Sequence, residues 1–140
     1  MRPKNVLRLF PVLLIGVLMA CGGSTSPAAQ APVEVQMSLS EFKLESSLTN
    51  FTPGVPYHFV VTNKGKVNHE LMIMPPVMSM GQSMEEMDKM ALARIRQEDL
   101  PPGATKTVDY TFAKAGEKLE LACHLAGHYE AGMLLPITVQ

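Results

Sequence analysis

The chain lacks an excess of positive charge: 12 Lys and Arg stand against 13 Asp and Glu, giving a formal net charge of −1 and a pI of about 6.4. No basic field exists to condense on phosphates, which excludes nucleic acid as a partner. Cysteine is scarce, with two among 140 residues. Long apolar runs are missing as well: the stretch Val12 to Met19 is too short to span a bilayer. With 46% hydrophobic and 18% charged residues, the chain suits one compact domain once any targeting segment is removed.

What is present at the N-terminus reads as an export signal. Arg2, Lys4 and Arg8 precede the short apolar region, and small Ala20 stands immediately before Cys21. The run Leu18-Met19-Ala20-Cys21 resembles the lipobox at which bacterial lipoproteins are cleaved and acylated on cysteine. Residues 1–20 are therefore expected to be a lipoprotein signal peptide, with a lipid on Cys21 fixing the protein in the periplasm or at the outer face of the cell membrane. Cleavage would leave nine Lys and Arg against thirteen Asp and Glu, a mildly acidic product. Cys123 would then be the sole thiol, and an exported protein with one unpaired cysteine needs a reason other than a disulfide.

Residues 21–32 are small, polar and proline-containing, the composition of a flexible tether. The folded domain is expected over 33–140. Val33, Val35, Met37 and Leu39 alternate with polar residues, the period of a half-buried strand, and Phe42 and Leu44 continue it after a break. Pro53-Gly54 introduces the β-branched and aromatic run Tyr57 to Thr62. Glu70 to Met74, Ala104 to Phe112, Lys118 to Ala122 and Leu134 to Val139 complete about seven strands. Strands this short with turn signals between them predict an all-β, antiparallel β-sandwich. Ser83-Met84-Glu85-Glu86 is a capping-box sequence, which predicts a helical insertion over 84–97 with Met84, Met87, Ala91 and Ile95 on one face.

The chemistry gathers near the C-terminus, where Cys123, His128 and Met133 fall within eleven residues. A thiolate with two imidazoles and a weak axial thioether suits copper cycling between Cu(I) and Cu(II). The second imidazole must come from elsewhere. His69 opens a strand after a Gly- and Lys-containing loop and can reach an end of the sandwich, whereas His58 sits inside a strand between Tyr57 and Phe59. His124, beside Cys123, points to the opposite face of an extended chain and is expected not to ligate. Zinc fits less well, since a structural zinc site wants four strong ligands and methionine is a poor one.

His69, then about fifty residues, then C-x4-H-x4-M before the last strand is similar to the cupredoxin family, with the longer Cys-to-His spacing of its auracyanin-like and sulfocyanin-like branches. The resemblance covers residues 33–140. It implies a Greek-key β-sandwich holding one type 1 (blue) copper on His69, Cys123, His128 and Met133, with electrons leaving through partly exposed His128. One departure stands out: many members of that family carry Asn or Ser after the first histidine to tie the ligand loops together, and here the residue is Glu70. Asn68 is expected to take over that bracing.

Met72, Met74, Met78, Met80, Met84, Met87 and Met90 crowd into nineteen residues. Flexible thioethers fill irregular gaps, so packing explains several of them. Met78 and Met80 are the candidates for secondary Cu(I) sites. No catalytic acid or base is needed, and no enzyme is expected. The resemblance implies a one-electron carrier docking a redox partner protein. The alternative is a periplasmic copper-tolerance protein that buffers copper or delivers it to a copper-handling partner.

Overall fold

The protein is described by a computed structural model over residues 30–76 and 83–140. Strands β1 (Val33–Ser40), β2 (Lys43–Ser46), β3 (Asn50–Phe51), β4 (Pro56–Asn63) and β5 (Leu71–Met74) lead to helix α1 (Met84–Met90). Then follow β6 (Ala93–Ile95), a single 3-10 turn (Gln97–Asp99), β7 (Thr105–Thr111), β8 (Lys118–Ala122) and β9 (Leu134–Val139). They form two sheets, of order β2-β1-β4-β7 and β3-β9-β8-β5-β6.

Period-2 alternation decides what faces inward. β1 buries Val35, Met37 and Leu39, and β4 buries Tyr57, Phe59, Val61 and Asn63. The second sheet answers with Phe51, Leu71, Ile73, Leu121, Ile137 and Val139, and the two inner faces share one core. The expected sandwich is therefore present, with two refinements. β1 pairs with β4, and β3 with β9, in parallel. Strands β3 and β6 bring the total among the described residues to nine, and at two and three residues they are too short to show a period.

The helical insertion is shorter than expected over 84–97. Its start is as predicted: Ser83 Oγ accepts from the Glu86 amide at 3.3 Å and Glu86 Oε2 accepts from the Ser83 amide at 2.8 Å. It ends at Met90 because the following residues find better partners in the sheet. The Leu92 amide donates to the Ile73 carbonyl at 2.8 Å, Arg94 pairs in register with Met72 and forms an ion pair with Asp88, and Ile95 enters the main core. Of the expected apolar helix face, Met87 is buried while Met84 is exposed.

Strand β5 is buried on both faces. Leu71 and Ile73 join the sandwich core, while Met72 and Met74 form a second cluster with Met87, flanked by Met90 and Ala91. Thioethers thus pack α1 onto the outer face of the sheet, the gap-filling use of methionine. Met78 and Met80, like Cys21, lie outside the described residues. Among the described residues no helix is long and apolar enough to cross a membrane.

Register places the functional end. Met72 lies opposite Ala122, and Ala122 opposite Leu134, so the start of β5, the end of β8 and the start of β9 meet at one end of the second sheet. The residues flanking those ends are His69, Cys123 and Met133.

An aromatic group anchors the interior. The Phe51 ring lies 4.9 Å from Tyr57, 5.7 Å from Phe59 and 4.7 Å from Phe112 by centroids. Phe51→Ala should cost about 3–5 kcal/mol, read by chemical denaturation of the metal-free protein. A loss below about 1 kcal/mol would show that the aromatic group does not hold the sheets together.

Candidate metal centre

His69, Cys123 and His128 each offer a ligand atom, and these atoms lie within 4.8 Å of one another. Cys123 Sγ is 3.5 Å from His128 Nδ1, and the His69 and His128 rings have centroids 5.1 Å apart. His69 and Cys123 are fully buried and His128 is half-buried, the exposures expected of two inner ligands and one exit. Met133 is also fully buried at the root of the same loop.

The loop from Cys123 to Met133 closes on itself. The Cys123 amide donates to the Met133 carbonyl at 3.1 Å, the Met133 amide to the His128 carbonyl at 3.0 Å, and the His128 amide to the Leu125 carbonyl at 2.8 Å. Gly127 and Gly132 take φ of 80° and 90°, which lets the chain reverse twice without side-chain strain. The loop before His69 is clamped by buried Asn63. Its side-chain amide donates to the carbonyls of Val67 at 2.8 Å and Leu100 at 2.9 Å, and its Oδ1 accepts from the Gly65 amide at 2.8 Å. The His69 amide in turn donates to the Leu100 carbonyl at 3.2 Å.

The two ligand-bearing loops are tied by Glu70, which corrects the expectation placed on Asn68. Glu70 Oε1 accepts from the His124 backbone amide at 2.9 Å, in a buried setting. Asn68 instead donates to the Gln97 carbonyl at 3.1 Å. A carboxylate is longer than Asn or Ser and reaches across where those side chains would serve at closer range. Burial raises the Glu70 pKa, and the His124 amide works against that rise.

Electrostatics prepare neutral donors. Burial, with help from the neighbouring His128, lowers the His69 pKa and keeps its imidazole in the lone-pair form a metal requires. Burial pushes the Cys123 thiol up, so an incoming metal must displace its proton. Neither ring nitrogen of His69 has a hydrogen-bond partner among the described residues, although the ring is fully buried. Such groups normally cost about 1–3 kcal/mol each, and a metal resolves that cost for the coordinating nitrogen.

The other histidines fall as expected. His58 pairs with Asp109 at 2.6 Å on the outside of the first sheet. His124 stacks on Tyr129 with ring centroids 4.4 Å apart at 18°, away from the ligand cluster. The β1–β2 turn was not legible as part of this centre. Phe42 meets the His128 ring edge-on at 5.6 Å and holds φ at 58°, a left-handed conformation costing a non-glycine residue about 1–2 kcal/mol. The break between the alternating runs marked a turn, but no local signal tied that turn to the C-terminal loop.

A nitrogen, nitrogen and thiolate set fits copper, whose two oxidation states both accept it, and buried Met133 adds a thioether to the same loop. No family profile matches the chain. It is 29% identical to the copper-resistant cuproprotein CopI of Pseudomonas aeruginosa, over 95% of this chain and 97% of that one. It is 31% identical to the CopI of Vibrio cholerae, over 82% of this chain and 70% of that one. Among solved structures, dithionite-reduced auracyanin from Roseiflexus castenholzii superposes with a TM-score of 0.57 at 17% identity, covering 79% of this chain and 99% of that one. Fold and donor set together define a cupredoxin. Within that class, the chain belongs to the CopI family of cuproproteins, and it is a copper-binding protein.

Glu70→Ala should destabilise the metal-free protein by about 1–3 kcal/mol, because the buried His124 amide loses its acceptor. Glu70→Gln keeps an acceptor oxygen and removes a buried charge, and should lose less or gain stability in the same denaturation experiment. Equal losses in both variants would mean that the charge, not the hydrogen bond, is what matters.

Proposed function

We propose that the protein holds one type 1 copper on His69, Cys123, His128 and Met133, and serves copper tolerance in the cell envelope, anchored by a lipid on Cys21 and a tether over residues 21–32. The observation carrying the copper site is a fully buried imidazole, His69, with two unpartnered nitrogens beside a buried thiol. In this reading copper would be held by Cys123 as thiolate after loss of its proton, by neutral nitrogens of His69 and His128, and by Met133 as a weak thioether donor. Bound copper supplies one-electron chemistry and an intense thiolate-to-copper absorption.

The protein's part is to keep the donors in one arrangement. Asn63, Glu70 and the closed Cys123–Met133 loop restrict both ligand segments, so little movement accompanies a change of oxidation state. What supports copper tolerance is the family relation, since the Pseudomonas and Vibrio relatives carry the name copper-resistant cuproprotein. One observation favours a second reading, a one-electron carrier for a redox partner protein: half-buried His128 is the ligand that reaches the surface, under the exposed Phe42 ring.

Adding Cu(II) to the purified protein should produce one intense visible band at one copper per chain. Cys123→Ser should abolish the band, whereas Met133→Leu should keep the colour and raise the potential. A band indifferent to Cys123→Ser would assign the colour to another group. Copper stoichiometry separates the roles. More than one tightly held Cu(I), lost when Met78 and Met80 are replaced, goes with copper handling, and a single copper with fast reversible redox goes with electron transfer.

A further inference from the structure

Two consecutive side chains of the β1–β2 turn lie near the two imidazoles. Phe42 lies against His128, and Glu41 stands over the loop that leads to His69. Glu41 Oε1 accepts the backbone amide of Lys66, which fixes the carboxylate beside Gly65. A Cβ built on Gly65 would sit 2.7 Å from His69 Nε2, 2.9 Å from Glu41 Oε1 and 3.2 Å from Asn63 Oδ1. A side chain there would clash with both atoms, so only glycine lets the imidazole Nε2 and the Glu41 carboxylate approach each other across this position. Asn63 Oδ1, the third atom near it, already accepts from the Gly65 amide. The backbone amides of Glu41 and Val67 also act on this carboxylate, and with about four acceptor positions it keeps capacity for one further donor.

We propose that Glu41 is a positioning residue for His69: Nε2 has no partner among the described residues, and once copper is held on Nδ1 the nearby Glu41 carboxylate closes on the ring and accepts the Nε2–H. Metal-bound histidines normally donate their second ring N–H to such a partner, which fixes the tautomer and the ring and raises ligand basicity. A negative partner favours Cu(II) over Cu(I). Gly65 belongs to the same device, because any side chain there displaces the ring or the carboxylate. The inference rests on the copper site proposed above.

The test uses the full protein and its Glu41→Gln, Glu41→Ala and Gly65→Ala variants. Three quantities are read: Cu(II) affinity by chelator competition, midpoint potential, and the pulsed-EPR signal of the remote imidazole nitrogen. Glu41→Ala should weaken Cu(II) binding about tenfold or more. Glu41→Gln should weaken it less, and both should raise the potential and change the remote-nitrogen signal. Gly65→Ala should weaken copper binding with Glu41 intact. An unchanged nitrogen signal with Cu(II) affinity within twofold in both Glu41 variants would overturn the inference while leaving the copper site standing. So would a loss in Glu41→Ala that Glu41→Gln fully restores with the nitrogen signal unchanged, since Glu41 would then only hold Lys66. A wild-type protein that takes up no copper overturns the copper site itself, and this inference with it.

Discussion

A fully buried imidazole cannot leave both nitrogens without partners unless something else answers them, and the top of this sandwich is organised around that constraint. His69 is desolvated, neutral and beside a thiol that burial keeps protonated. As a hydrophobic core the arrangement is poor, because apolar residues of similar volume would pack there without unsatisfied groups. As a soft, dry donor set it is suited to a metal that accepts imidazole and thiolate together. The stability lost at the centre is offset by the core below it, where Phe51, Phe59, Phe112 and Leu121 are almost completely removed from water.

Holding the donors is a problem of joining segments far apart in the chain. β5, β8 and β9 end together because their register makes them, and this brings His69, Cys123 and Met133 to one rim. Short polar ties then limit the loops. Asn63 fastens the His69 loop to Leu100, Glu70 fastens it to His124, and the Met133 carbonyl holds the amide of Cys123. The β1–β2 turn adds a contact from the first sheet, so both sheets contribute to the centre. Restricting the cysteine and the two histidines from several directions limits how far the donor cluster can rearrange.

The clustering of His69, Cys123 and His128 was legible in the sequence because their spacing reflects strand ends: a donor just before one strand and a short loop of donors between two others. The sandwich was legible because β1 and β4 alternate cleanly against one core. The helix start was written locally in Ser83 and Glu86, but its end was not, since β6 exists only through pairing with β5, and three residues carry no period of their own. Glu70 read as a departure that put the bracing in doubt. Its reach to His124 depends on a loop more than fifty positions away, information that no local pattern contains. Phe42 read as the resumption of the strand pattern and stands instead in the turn, and Glu41 and Gly65 carried no signal until the fold set them near His69.

X-ray absorption at the copper edge, recorded on the oxidised and the reduced protein, tests most directly whether the fold holds this donor set around copper. Expected are one short copper–sulfur bond and two copper–nitrogen bonds, with nearly the same set in both states. Coordination by nitrogen and oxygen alone, or a change of ligands between the two states, would contradict a centre built on His69, Cys123 and His128.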